Sequence, residues 1–160
     1  MTAAVILAQS EPIFQVAKAA DNGTANLPNV PVVAREVLLG GKALQDEDMK
    51  AIIPLVNSNA IVKLHLADNQ FGDAAAEALA AALESNESLT YVSLHKNRIG
   101  SQGGMAFAKA VRANATLKTL FLTMNPIGDD ALVAIDEANK ARKIPMVGLN
   151  GLVMDQPQHR

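Results

Sequence analysis

The chain has 160 residues, the length of one domain, and its 49% apolar and 19% charged content excludes a disordered chain. A net charge of −2 lacks the basic excess of a phosphate-neutralising protein, so nucleic acid is not an expected partner. With no cysteine there can be no disulfide, thiolate metal site or cysteine nucleophile.

In chain order, Ala3 to Ala8 is an unbroken apolar run, too short for a membrane span or a signal-peptide core. No membrane insertion is expected, and the expected location is intracellular, cytoplasmic or cytoskeletal. Residues 1–33 read as an N-terminal capping segment. Ser10-Glu11-Pro12 starts a helix, Ile13, Phe14, Val16, Ala17 and Ala20 give it an apolar face, and Asn22-Gly23 ends it. Leu27 to Pro31 should be extended.

From there the chain repeats itself. Ile61, Leu89 and Leu117 stand 28 residues apart. The same step relates Leu64, Val92 and Leu120, then Leu66, Leu94 and Leu122, then Asn69, Asn97 and Asn125. Phe71, Ile99 and Ile127 follow, and then Gly72, Gly100 and Gly128. Alternating apolar residues predict a short strand, and Asn with Gly a turn. Asp73, Ser101 and Asp129 are placed to cap a helix. The helix keeps Leu79, Phe107 and Ile135 in one column, and Asn86 and Asn114 fit a left-handed helix end.

Upstream, Ala34, Val37, Leu39 and Leu44 fit one residue out of step, with Gly40-Gly41-Lys42 where the turn Asn should close. Downstream, Ile144, Val147 and Leu149 fit a fifth strand. The units are therefore 34–60, 61–88, 89–116 and 117–143, with 144–160 as partial repeat, cap and tail. Strands are predicted around Val37, Leu64–Leu66, Val92–Leu94, Leu120–Leu122 and Val147–Leu149, in one parallel sheet. Helices are predicted over 46–57, 74–85, 102–113 and 130–142, the first kinked or shortened by Pro54. Asn150-Gly151 predicts a tight turn that folds Leu152 to Met154 back antiparallel on the fifth strand, unless Asn150 sits in an ordinary repeat turn.

This pattern resembles the leucine-rich repeat, and its length and Asn-x-Ile-Gly turn resemble the ribonuclease-inhibitor-like subclass. Ran GTPase-activating protein, tropomodulin and NOD-like receptors share that subclass. The resemblance covers roughly residues 34–150 and implies an α/β solenoid, a right-handed horseshoe segment with a parallel inner sheet and outer helices. In that family the asparagine ladder, here Asn69, Asn97 and Asn125, is architectural. Neither the GTPase-activating nor the inhibitor activity transfers: no catalytic arginine matches, and both need longer arrays.

No set of convergent titratable groups emerges, so no catalytic residue and no cofactor is expected. His65 and His95 lie on a diagonal of the open sheet face with Asp68 nearby, too few ligands for zinc, so no metal is expected. Gly40-Gly41-Lys42 lacks the rest of a phosphate loop and reads as a turn. Three glycosylation triplets begin at Asn22, Asn86 and Asn114, and the latter two share a repeat column, which makes them turn chemistry. Lys140, Arg142 and Lys143 suit a helix C-terminus.

Strand positions three, five and seven are not consumed by the core. The expected function is non-catalytic protein binding through Lys63, His65, Tyr91, Ser93, His95, Thr119 and Phe121, with the exposed aromatics Tyr91 and Phe121 central. The alternatives are a structural subunit of a cytoskeletal, axonemal or organellar assembly, and a regulator of a GTPase or other enzyme.

Overall fold

Val37, Leu64, Val92 and Leu120 are each the buried middle residue of a three-residue strand. A computed structural model describes residues 35–143 and shows these strands as β1 (Glu36–Leu38), β2 (Lys63–His65), β3 (Tyr91–Ser93) and β4 (Thr119–Phe121). They form one sheet in the order β1-β2-β3-β4, every pair parallel, with those four residues in register. The helices are α1 (Met49–Asn57), α2 (Asp73–Ser85), α3 (Ser101–Ala113) and α4 (Asp129–Lys140). Each unit is thus strand, turn and helix, an α/β solenoid. The expected N-terminal cap, fifth strand and Asn150-Gly151 hairpin lie outside the described residues.

The core runs between sheet and helices. Leu39, Leu66, Leu94 and Leu122 line it from the strand ends, Phe71 and Ile99 from the turns, and Leu79, Phe107 and Ile135 from the helices. A single unit could not cover these side chains; stacking buries them in one continuous column. The helices pack closely because their facing residues are small. A Cβ on Gly103 would stand 2.7 Å from the Ala76 Cβ, and one on Gly104 would stand 2.9 Å from the Ala131 Cβ.

The first helical segment differs from its expected span. Asp46–Asp48 is a 3₁₀ turn, and α1 has nine residues against 13 in α2 and α3. Pro54 lies inside α1 and does not end it, although its missing N–H removes one intrahelical bond.

Two capping expectations are corrected. Asp73, Ser101 and Asp129 are the first helical residues, flanked by extended Gly72, Gly100 and Gly128, and they do not cap their own helices. Asp73 and Ser101, like Asp46 before them, instead reach one unit along. Asp46 Oδ1 accepts from the Gly72 N–H at 2.6 Å, Asp73 Oδ1 from Gly100 and Gly103 at 2.7 and 2.8 Å, and Ser101 Oγ from Gly128 at 3.0 Å. The starts of α2, α3 and α4 are each served by the preceding unit.

Asn86 and Asn114 are extended rather than left-handed, with φ of −75° and −79°. Their buried amides are the reason. Asn86 donates to the Val56 carbonyl, and Asn114 to those of Leu83 and Asn86, while their side-chain oxygens accept from Ser88 and Leu89 and from Thr116 and Leu117. The left-handed non-glycine residues are elsewhere: Asp68, Lys96 and Met124 at φ 56°, Ala43 at 55° and Asn59 at 54°. Gly41, at φ +64°, makes Gly40-Gly41-Lys42 a turn.

Candidate functional site

A strand buried on one face presents alternate residues on the other. Register places Glu36, Lys63, Tyr91 and Thr119 in one row across the open face, and Leu38, His65, Ser93 and Phe121 in the next. His95 and Thr123 follow two residues beyond Ser93 and Phe121.

Three rings form a continuous cluster over β2, β3 and β4, with His65 and Phe121 in the second row and Tyr91 between them in the first. The His65 and Tyr91 centroids are 4.8 Å apart and tilted by 37°, and those of Tyr91 and Phe121 are 5.5 Å apart, edge to face. Both aromatics are half-buried rather than fully exposed, since each covers part of its neighbour. Ser93, expected as a contact residue, is only 7% exposed. It is a short side chain between His65 and Phe121 in its row, so it offers a partner little surface. Two apolar residues that the sequence reading did not select are open on this side: Leu38 at 61% in the second row, and Met124 at 67% in the turn after β4. Met124 carries no pattern signal because it precedes the turn Asn.

Polar neighbours surround the rings. Lys63 Nζ pairs with Glu36, which lowers the Glu36 pKa from its ordinary value. His95 Nδ1 and Thr123 Oγ1 are 2.6 Å apart. Lys96 Nζ lies 2.8 Å from Asp68 Oδ1. His95 and Asp68 are thus engaged by different neighbours, and among the described residues no group of three ligating side chains could hold a metal.

His65 Nε2 is buried without a hydrogen-bond partner, 3.9 Å from the Glu36 carboxylate. Burial lowers its pKa below 6.5; attraction to Glu36 opposes this, and Lys63 adds to it. A histidine whose folded pKa is depressed binds more protons when unfolded, so stability rises with pH across that window. The melting temperature should be flat above about pH 7 and decline as pH falls below about 6.5, the unfolded value. The ring is partly exposed, so the decline is modest. His65→Phe should remove most of this step in thermal melts at pH 7.5 and 5.5. An unchanged step would assign it to other groups.

The asparagine column stands behind this face. The Asn69 amide donates to the Leu39 and Leu66 carbonyls, while its oxygen accepts from the Lys42 and Leu44 N–H groups. Asn97 donates to Leu66 and Leu94 and accepts from Phe71; Asn125 donates to Leu94 and Leu122 and accepts from Ile99. Each amide ties its own turn to the unit before it and so holds the strands in register.

Residues 57–80, 85–108 and 113–135 each match the family model described as Leucine Rich repeat. No curated protein matches the chain. Among solved structures, the one titled Leiomodin-1 Actin-Binding Site 2 superposes with a TM-score of 0.65 at 20% identity, over 82% of this chain and 74% of that one. At that identity the likeness is one of fold. No helix among the described residues is long and apolar enough to cross a membrane.

Proposed function

The chain belongs to the leucine-rich repeat proteins, and from that premise we propose that it is a non-catalytic module that binds a protein partner across its open sheet face. The observation that carries this is the His65–Tyr91–Phe121 ring cluster. Aromatic side chains are only 3% of the chain, and two of them meet where the fold does not need them. Their polar edges and apolar faces suit an interface anchor. Lys63, His95 and Thr119 border the rings, with Leu38 and Met124 as apolar extensions. Four strands at ~4.8 Å span roughly 20 Å with their side chains, room for one helix or strand of a partner.

The test begins with a pull-down from the native source to identify the partner. Tyr91→Ala and Phe121→Ala are then compared with the parent chain by calorimetry. Each should weaken binding by about 2 kcal/mol, roughly thirtyfold. Each should cost the fold only about 0.5–1.5 kcal/mol, the worth of a lost ring pair. Unchanged affinity in both would move the contact to the outer helices or the edges of the array.

A second reading is a subunit of a cytoskeletal assembly. It is favoured by the fold shared with a leiomodin-1 actin-binding site. Cosedimentation with filamentous actin tests it, and protein left in the supernatant at saturating filament would dismiss it.

A further inference from the structure

The net charge of −2 conceals a segregation that the fold creates. The strands and the turns that leave them (35–44, 61–72, 89–100 and 117–128) hold six basic and two acidic residues. The helices and their connections (45–60, 73–88, 101–116 and 129–143) hold six basic and eleven acidic residues. Several helical acids have structural work: Asp46 and Asp73 cap neighbouring helices, and Glu84 and Asp136 pair with Lys109 and Lys140. On the sheet side both acids are already neutralised, Glu36 by Lys63 and Asp68 by Lys96. Four exposed cations, Arg35, Lys42, Arg98 and Lys118, have no acidic partner among the described residues. Arg35 and Lys118 directly precede β1 and β4, and Lys42 and Arg98 lie in the turns after β1 and β3. The ring cluster therefore has cations at both rims of its sheet.

We infer that the occupant of this face is an acidic peptide segment, with an apolar anchor for the rings and carboxylates for the two cationic rims. The inference rests on the sheet-face reading above and adds the chemistry of the partner. A basic segment would meet four uncompensated like charges, and the acidic outer helices would not draw it to this side. Complementary rim charges raise the association rate and exclude wrong partners, and their effect is screened by salt.

The probe is a random peptide library displayed on phage and selected against the immobilised full chain. Enriched peptides are synthesised with a fluorescent label and titrated by anisotropy. We expect enrichment of Asp and Glu beside Leu, Ile, Phe or Tyr. Affinity should fall about tenfold in the double variant Arg98→Glu, Lys118→Glu, and about tenfold again for the parent chain in about 1 M salt, where the screening length is about 3 Å. Lys50→Glu on α1 should change nothing. Neutral or basic peptides that still require Tyr91 would overturn the acidic chemistry and leave the sheet-face reading standing. Acidic peptides indifferent to both Tyr91→Ala and Phe121→Ala would overturn the sheet-face reading itself. No enrichment would overturn the inference. So would a labelled oligothymidine that binds more tightly than the best peptide and is lost in the charge-reversed variant, which would point to single-stranded nucleic acid.

Discussion

Asn97→Ala is expected to destabilise the array by about 2–3 kcal/mol, although it deletes only a small polar group. The side chain is 7% exposed, and its amide bridges the second and third units. It donates to the Leu66 and Leu94 carbonyls at 3.0 and 2.9 Å and accepts from the Phe71 N–H at 3.1 Å. Alanine would leave the Phe71 N–H unpaired and reduce the Leu66 and Leu94 carbonyls to their remaining bonds from Asn69 and Asn125; an unsatisfied buried polar group costs about 1–3 kcal/mol. A domain is typically stable by only about 5–15 kcal/mol, so the melting temperature should drop by about 10 °C. Asn125→Ala should cost less, because Asn125 is half-buried and water can reach part of what it serves. Thermal melts by circular dichroism would decide it. A loss for Asn97 no larger than that for Asn125 would show that water satisfies the freed groups.

Phe107→Ala should cost about 3–5 kcal/mol, through lost transfer energy and the cavity left behind. The ring is fully buried in α3, in the column shared with Leu79 and Ile135. The site cannot collapse easily. Gly103 and Gly104 already bring α3 within van der Waals limits of Ala76 and Ala131, so the helix has little room to move inward. In a stacked array each unit is held by its neighbours, and an intact third unit is what couples the second to the fourth. Met105→Ala on the same helix is the control: that side chain is 51% exposed, and the change should stay within about 0.5 kcal/mol. Urea denaturation of both variants tests the contrast. Equal midpoints would mean that the core absorbs the loss of the ring.

Much of the fold was legible before any coordinates. The 28-residue columns placed all four strands in the described span to within one residue, and α2, α3 and α4 within two residues of their ends. The rows of the open face were legible for the same reason: parallel strands repeated at one period must pair like with like. The interrupted first helical segment was less so. Pro54 signalled it, yet the split into a 3₁₀ turn and a nine-residue helix follows from how Gln45 and Asp48 bond to each other at its start.

What the chain determined alone is therefore periodic: strand, turn and helix, their order, and which side chains face inward. Those features depend on local alternation and on a repeat that any unit shares with the next. What only the tertiary structure decided is relational. Asp73 and Ser101 look like caps of their own helices but serve the next ones, because the first helical residue of one unit lies beside the start of the following helix. Asn86 and Asn114 look like left-handed helix ends but turn inward, because the carbonyls of the preceding unit accept from their buried amides. Ser93 lies on the open face by register and is nevertheless covered, and Leu38 and Met124 are uncovered. Exposure depends on the sizes of side chains a whole unit away, and no pattern within one unit contains that information.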